Sequence, residues 1–306
     1  MCFGHEYHSS GQSGGPSPAN PSVGGNTIYG PLSGFSRLRQ RYGWSVTVAH
    51  QWTARRIDCL ILDIDPGARL DLPCLGDRET VLTVEAGSGV LSRVQSGARD
   101  ELRTLDALRM GPDASASVAA LTSMRVMMTS MHVPSCPAEH RNLLEVRPRN
   151  DHDWKLYEYE ALGQEVFAPE YEGALGLLRF MFPQDEIPVH VHPGSGRIIR
   201  PISGRGYTYM HPDRCPMDAG TIAAFDANVI HTNGPLKGET YELWALQLPW
   251  IPSGIDTENI AGHEQFVRYV SDVPVPSRYK TKAGLLERAR TQQAQSGGIQ
   301  ADRPRS

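Results

Sequence analysis

His190 and His192 stand two residues apart in Pro188-Val-His-Val-His-Pro193. On an extended strand that spacing turns both imidazoles to one face, so the pair can bite a single divalent ion. A third histidine, His231, closes the run Gly220-Thr-Ile-Ala-Ala-Phe-Asp-Ala-Asn-Val-Ile-His231, which opens on turn formers and continues as an apolar strand. A hairpin of that form can return His231 to the first two. One buried histidine is ordinarily a hydrogen-bonded core residue, but an HxH pair with a third histidine on a matching hairpin points to a metal centre. Neutral imidazole suits Fe, Cu, Ni and Zn alike.

The elements around these histidines read as strands of one barrel, residues 173–252. They include Leu175-Gly-Leu-Leu-Arg-Phe-Met-Phe182, the HxH hairpin, the His231 hairpin and Tyr241-Glu-Leu-Trp-Ala-Leu-Gln-Leu-Pro-Trp250. An earlier stretch, residues 34–133, follows the same pattern. Laid under the later one at a constant offset of 117, it sets Pro66 on Pro183, Leu82 on Ile199, and Gly87 and Gly89 on Gly204 and Gly206. Faint identity with regular spacing is how a duplicated unit reads. In that register His190 and His192 fall opposite Pro73 and Leu75, and no histidine occurs between His50 and His132. The first repeat therefore cannot build the same centre and is expected to fill its interior with apolar side chains. The methionines between 124 and 131 read as part of that filling.

With these residues in view, the chain resembles the cupin superfamily of small β-barrels. That family's first motif is HxH, four residues, Glu, six residues, Gly; here His190, His192, Arg197 and Gly204 keep the spacing. Its second motif is kept in frame by Gly220, Asp226, Asn228, His231 and Asn233, with Asp226 and Asn228 standing for Pro and Gly. The resemblance implies metal ligands at His190, His192 and His231. It puts Arg197 where the family has a glutamate ligand, and a guanidinium has no lone pair to offer a cation. It implies an all-β fold of two tandem cupin (double-stranded β-helix, jelly-roll) barrels; composition and pattern add a disordered arm over 1–33, a connector over 134–172, and a tail with a short helix over 253–306. Three-His iron cupins include thiol, diketone and gentisate-type dioxygenases, and the gentisate type also has two barrels. A dioxygenase that uses Fe(II), with Mn, Ni, Cu and Zn as alternative metals, and acts on a small carboxylate-bearing substrate is thus the first functional expectation. Non-redox isomerase, decarboxylase or lyase chemistry, and ligand binding without catalysis, stand as alternatives.

Arg197 is the residue expected to hold a substrate carboxylate, because guanidinium–carboxylate contacts are bidentate and directional. Gln247 and Tyr209 are the further candidates for substrate contact. Arg200 is expected to reach solvent or to pair with Glu242 or Asp226, and His211 to be a loop histidine.

Composition narrows the rest. Thirty Gly and 23 Pro in 306 residues favour a turn-rich β protein. A formal net charge of −4 gives no electrostatic case for nucleic acid. No apolar run is long enough to span a bilayer, and no basic-then-apolar leader is visible at the N-terminus. Five scattered cysteines then read as reduced thiols in a cytoplasmic protein. Cys2, His5 and His8 crowd a Gly/Ser-rich end that offers no further ligand. Exposed sheet edges would need cover, and the arm or the strand near Trp44 is expected to supply it by pairing with a second copy in a homodimer.

Overall fold

Several strands are buried along nearly their whole length instead of on alternate residues, as in Arg78–Ala86 and Tyr241–Leu248. That pattern arises when a sheet is covered on both faces. In a computed structural model, which describes residues 28–32, 37–39, 43–52, 56–149, 154–156, 161–171, 173–182, 187, 190–192, 194–210, 213–227, 229–250 and 258–259, the cause is plain: two antiparallel sandwiches pack against each other through their larger sheets.

In the first sandwich the larger sheet runs Leu144–Arg147, Ala107–Met110, Arg78–Ala86, Met124–His132, Ile57–Ile64, Trp44–Trp52, Arg37–Arg39. It faces a sheet of Arg69–Leu72, Ala116–Ala120, Ser88–Arg93 and Arg99–Arg103. In the second, the larger sheet runs Ile28–Pro31, Thr221–Phe225, Gly196–Ser203, Tyr241–Leu248, Gly176–Phe182, Leu162–Phe167, Lys155–Leu156. Opposite it lie Asp213–Met217, Gly206–Met210, His231–Pro235, His190–Val191 and Glu258–Asn259. The central strands of both sandwiches follow one order, so the halves are copies of one topology.

The 117-residue offset holds along the turn-forming glycines. Gly87 and Gly204 have φ of 82° and 72°. A side chain at Gly87 would strike the Ser123 carbonyl and Met124 Cα, and one at Gly204 the Thr240 carbonyl and Tyr241 Cα. The offset fails at the histidine strands. Leu72 pairs with Ala116 as His190 pairs with His231. His190 therefore corresponds to Leu72 and not to Pro73, because the loop before Gly196 is one residue shorter than an ungapped register requires. Leu72 and Ala116 both lie in the apolar interior of the first sandwich, with Leu62, Leu82, Leu91, Leu108 and Val118.

Some segments differ from expectation. Residues 28–31 of the arm pair with Thr221–Phe225 of the same chain and cover that edge. The stretch read as a connector is shared out: Leu144–Arg147 extends the first sandwich, while Lys155–Leu156 and Leu162–Phe167 extend the second. Residues 1–27 and the helix expected near Ala283 lie outside the described residues.

The face between the sandwiches is apolar, with Ile57, Ile61, Val81 and Met127 against Leu177, Ile198, Trp244 and Leu246. Ion pairs pin it. Arg200, expected to reach solvent or to pair with Glu242 or Asp226, instead crosses to Glu85 of the first sandwich. Its Nε and Nη2 donate to the carboxylate at 2.5 and 2.6 Å, and its Nη1 donates to the carbonyls of Ala219 and Thr221 at 2.7 Å each. Glu242 pairs with Arg179. Glu79 accepts from Arg109 and from the Leu175 backbone N–H across the same face. Removing one partner of a buried pair strands the other's charge. Arg200→Met is expected to lower unfolding free energy by about 3–5 kcal/mol in a denaturant titration. The double change with Glu85→Leu should recover most of that loss.

Candidate metal centre

His190 and His231 lie directly opposite each other on adjacent antiparallel strands, and His192 follows two residues on from His190. The ring centroids of His190 lie 4.8 Å from His192 and 4.3 Å from His231, and those of His192 and His231 are 5.1 Å apart. One nitrogen from each ring falls within 4.8 Å of the others. The Nε2 atoms of His190 and His192 are 3.2 Å apart. A metal with bonds of about 2.1 Å holds two cis nitrogens about 3.0 Å apart in an octahedron and about 3.4 Å apart in a tetrahedron. The observed spacing suits either.

The three histidines are 6%, 9% and 2% exposed in chain order, so water has little access to them. His231 Nδ1 lies 2.8 Å from the Val229 carbonyl, and a carbonyl only accepts. Nδ1 therefore carries the proton and Nε2 keeps its lone pair, the arrangement a ligating histidine needs. Burial, reinforced by His190, His192 and the Arg197 charge, pushes the His231 pKa well below the usual imidazole value. All of this fits a dication held by neutral nitrogens.

Strand parity decides what faces the three rings. Phe225, Ile199 and Ala245 belong to the interior of the second sandwich. Arg197 lies two residues before Ile199, Gln247 two after Ala245, and Arg197 pairs with both Phe225 and Gln247. Arg197 and Gln247 thus share the interior face with Phe225, whose ring centroid is 4.3 Å from that of His231. Arg197 is 4% exposed, and its Nη1 donates to Ser195 Oγ and, at 2.9 Å, to the Gly196 carbonyl.

Tyr209 is placed differently. Met210 pairs with His231, so Tyr209, paired with Thr232, points to the opposite face, where it packs with Tyr207, Ile230 and Leu236. It does not line the three-His interior, and the error was one of phase along the strand. Trp244 faces the first sandwich. Cys215 is buried, and burial pushes its thiol to about 11, which keeps it unreactive. His211 lies outside the described residues. Thr208, whose hydroxyl donates to Asn233 Oδ1 at 2.7 Å, shares the His231 face and was missed as a site residue. The pairing of Thr208 with Asn233, two residues beyond His231, is the signal that finds it.

No family model matches the chain, and no curated protein matches it in sequence. Solved structures share its fold. A Pseudomonas aeruginosa protein described as glyoxylate-induced superposes with a TM-score of 0.63 at 13% identity, over 79% of this chain and 96% of its own. The formate complex of Lactobacillus farciminis oxalate decarboxylase gives 0.56 at 10%, over 76% and 88%. The fold is that of a two-barrel cupin. The Escherichia coli protein Ylba superposes on this chain with a TM-score of 0.61 at 13% identity, over 74% and 93%. At such identities the fold alone is shared, and the gentisate-type likeness has no counterpart among these three structures. No helix among the described residues is long and apolar enough to cross a membrane.

The low pKa of His231 has a sign that can be tested. An imidazole held neutral in the fold binds its proton more weakly than in the unfolded chain. Its contribution is intact above about pH 6.5 and is lost as pH falls below that value. The urea midpoint of metal-free protein should drop between about pH 7 and about pH 5 more steeply than that of His231→Gln. Parallel slopes would contradict the neutral assignment.

Proposed function

We propose that the C-terminal barrel is the active site of a metal-dependent enzyme acting on a small carboxylate-bearing substrate, with Fe(II)-dependent oxygenation as the favoured chemistry. The observation that carries it is a donor set of three converging imidazoles with arginine, not a carboxylate, in the remaining seat. Three neutral donors leave a dication its full charge and open positions for an organic anion. A ferrous ion held there supplies Lewis acidity and an electron source for dioxygen.

The chain's own groups do the remaining work. The Val229 carbonyl fixes the His231 tautomer, and burial of the three rings excludes water and strengthens charge interactions. Arg197, oriented through Ser195 and Gly196, brings a guanidinium to the same face for the substrate carboxylate. Gln247, opposite Arg197, adds an uncharged donor and acceptor that can orient the bound acid.

Non-redox chemistry is the second reading, favoured by the fold shared with an oxalate decarboxylase. Against it, the described residues facing the histidines include no carboxylate to serve as general acid or base.

Oxygen uptake that requires ferrous iron and a small acid is the expected outcome in an oxygen electrode, and His231→Ala should abolish uptake and iron retention together. Undiminished turnover under strict anaerobiosis would move the assignment to the second reading. For whichever acid is turned over, Arg197→Gln should raise KM about tenfold or more. An unchanged KM would remove Arg197 from substrate binding.

A further inference from the structure

The two barrels of this chain are controls for each other. Matched through their strand pairings, they show what the second interior changed besides gaining histidines. Leu82 pairs with Leu108 and Met128 in the first barrel; at the matching level Ile199 pairs with Ala223 and Ala245 in the second. Two long apolar side chains have become methyl groups. On the facing sheet, Leu91 pairs with Val118, both fully buried, while Thr208 pairs with Asn233. An apolar pair has become a hydrogen-bonding pair. Met124, beside the turn glycine Gly87, becomes Tyr241 beside Gly204.

Tyr241 is 0% exposed, and its hydroxyl, which makes no hydrogen bond of normal geometry, lies by that of Thr208. Thr208 gives its proton to Asn233, so toward Tyr241 it offers only its lone pairs. A buried hydroxyl without a well-formed bond is uncommon in a folded protein and can turn to a better acceptor. The Tyr241 ring, 6.0 Å from that of Phe182, lies against Gly206, and Met210 pairs with His231 at the other end of the same strand, so Thr208 and Asn233 lie between that ring and the histidines. Asn233 is two residues from His231 on one strand face, a step of about 6.8 Å.

We infer that the second barrel holds a ligand cavity running inward from the three histidines, walled by Ala223 and Ala245 and floored by Thr208, Asn233 and the Tyr241 hydroxyl, and that it takes a small two-ended organic acid. One carboxylate lies at the histidine end, and the far end accepts a hydrogen bond from Tyr241. The head group rests on the metal reading above; the cavity and its floor do not.

Two measurements on the full chain decide this. Thermal unfolding of metal-free protein tests the space: restoring first-barrel bulk by Ala245→Met, or more gently by Ala245→Val, should raise Tm by about 2 °C or more. A fall in Tm for both variants means that the interior is already packed there, and overturns the cavity. Calorimetry of Co(II)-loaded protein with linear dicarboxylates, from oxalate up to adipate, tests the floor. Affinity should peak at one chain length above oxalate. Tyr241→Phe should weaken that acid about tenfold and leave oxalate unchanged. Ala245→Met should abolish binding of the longer acids while Co(II) uptake stays at the wild-type level. Affinities indifferent to chain length and to both substitutions would overturn the floor. A wild-type protein that takes up no Co(II) would instead defeat the metal reading, and the melting arm would still judge the cavity.

Discussion

Direct pairing of His190 with His231 across two short strands is the constraint on which the site depends. Side chains opposite each other in an antiparallel pair share a face, and the HxH spacing brings His192 to the same side. Geometry set by backbone hydrogen bonds needs no flexible loop to hold it, so three rings meet in a buried place that would otherwise disfavour polar groups. The Val229 carbonyl then fixes the proton on His231 and turns its lone pair inward.

One topology, used twice, separates scaffold from chemistry. Both sandwiches keep the turn glycines at 87 and 204, because backbone from the neighbouring strand leaves no room for a side chain there. Both keep apolar residues on the faces that press together, and these are locked by Arg200 with Glu85. The interiors diverge. Leu72 and Ala116 close the first barrel where His190 and His231 open the second, so the first half contributes packing surface and an ion-pair partner without a second centre.

Much of this was legible from residues alone. The period of two makes an HxH pair readable on any strand, and Gly-rich turns spaced alike in both halves announce the duplication. The phase of Tyr209 was not legible, because facing depends on which residue pairs with His231, and one step of register turns every side chain over. Nor was the partner of Arg200, since Glu85 lies in the other sandwich and no local pattern links positions that far apart. The alignment at His190 slipped by one residue because loop lengths are not carried by strand periodicity. Ala223 and Ala245 look like ordinary strand residues until each is set beside its first-barrel counterpart.

Co(II) titration followed by absorption spectroscopy tests the central claim most directly, since cobalt bands report coordination as well as stoichiometry. One equivalent bound per chain, with bands of a nitrogen-rich site that vanish in His190→Ala, is the result expected. No cobalt bands at all, or bands that persist when His190 is removed, would contradict a centre built from these three imidazoles.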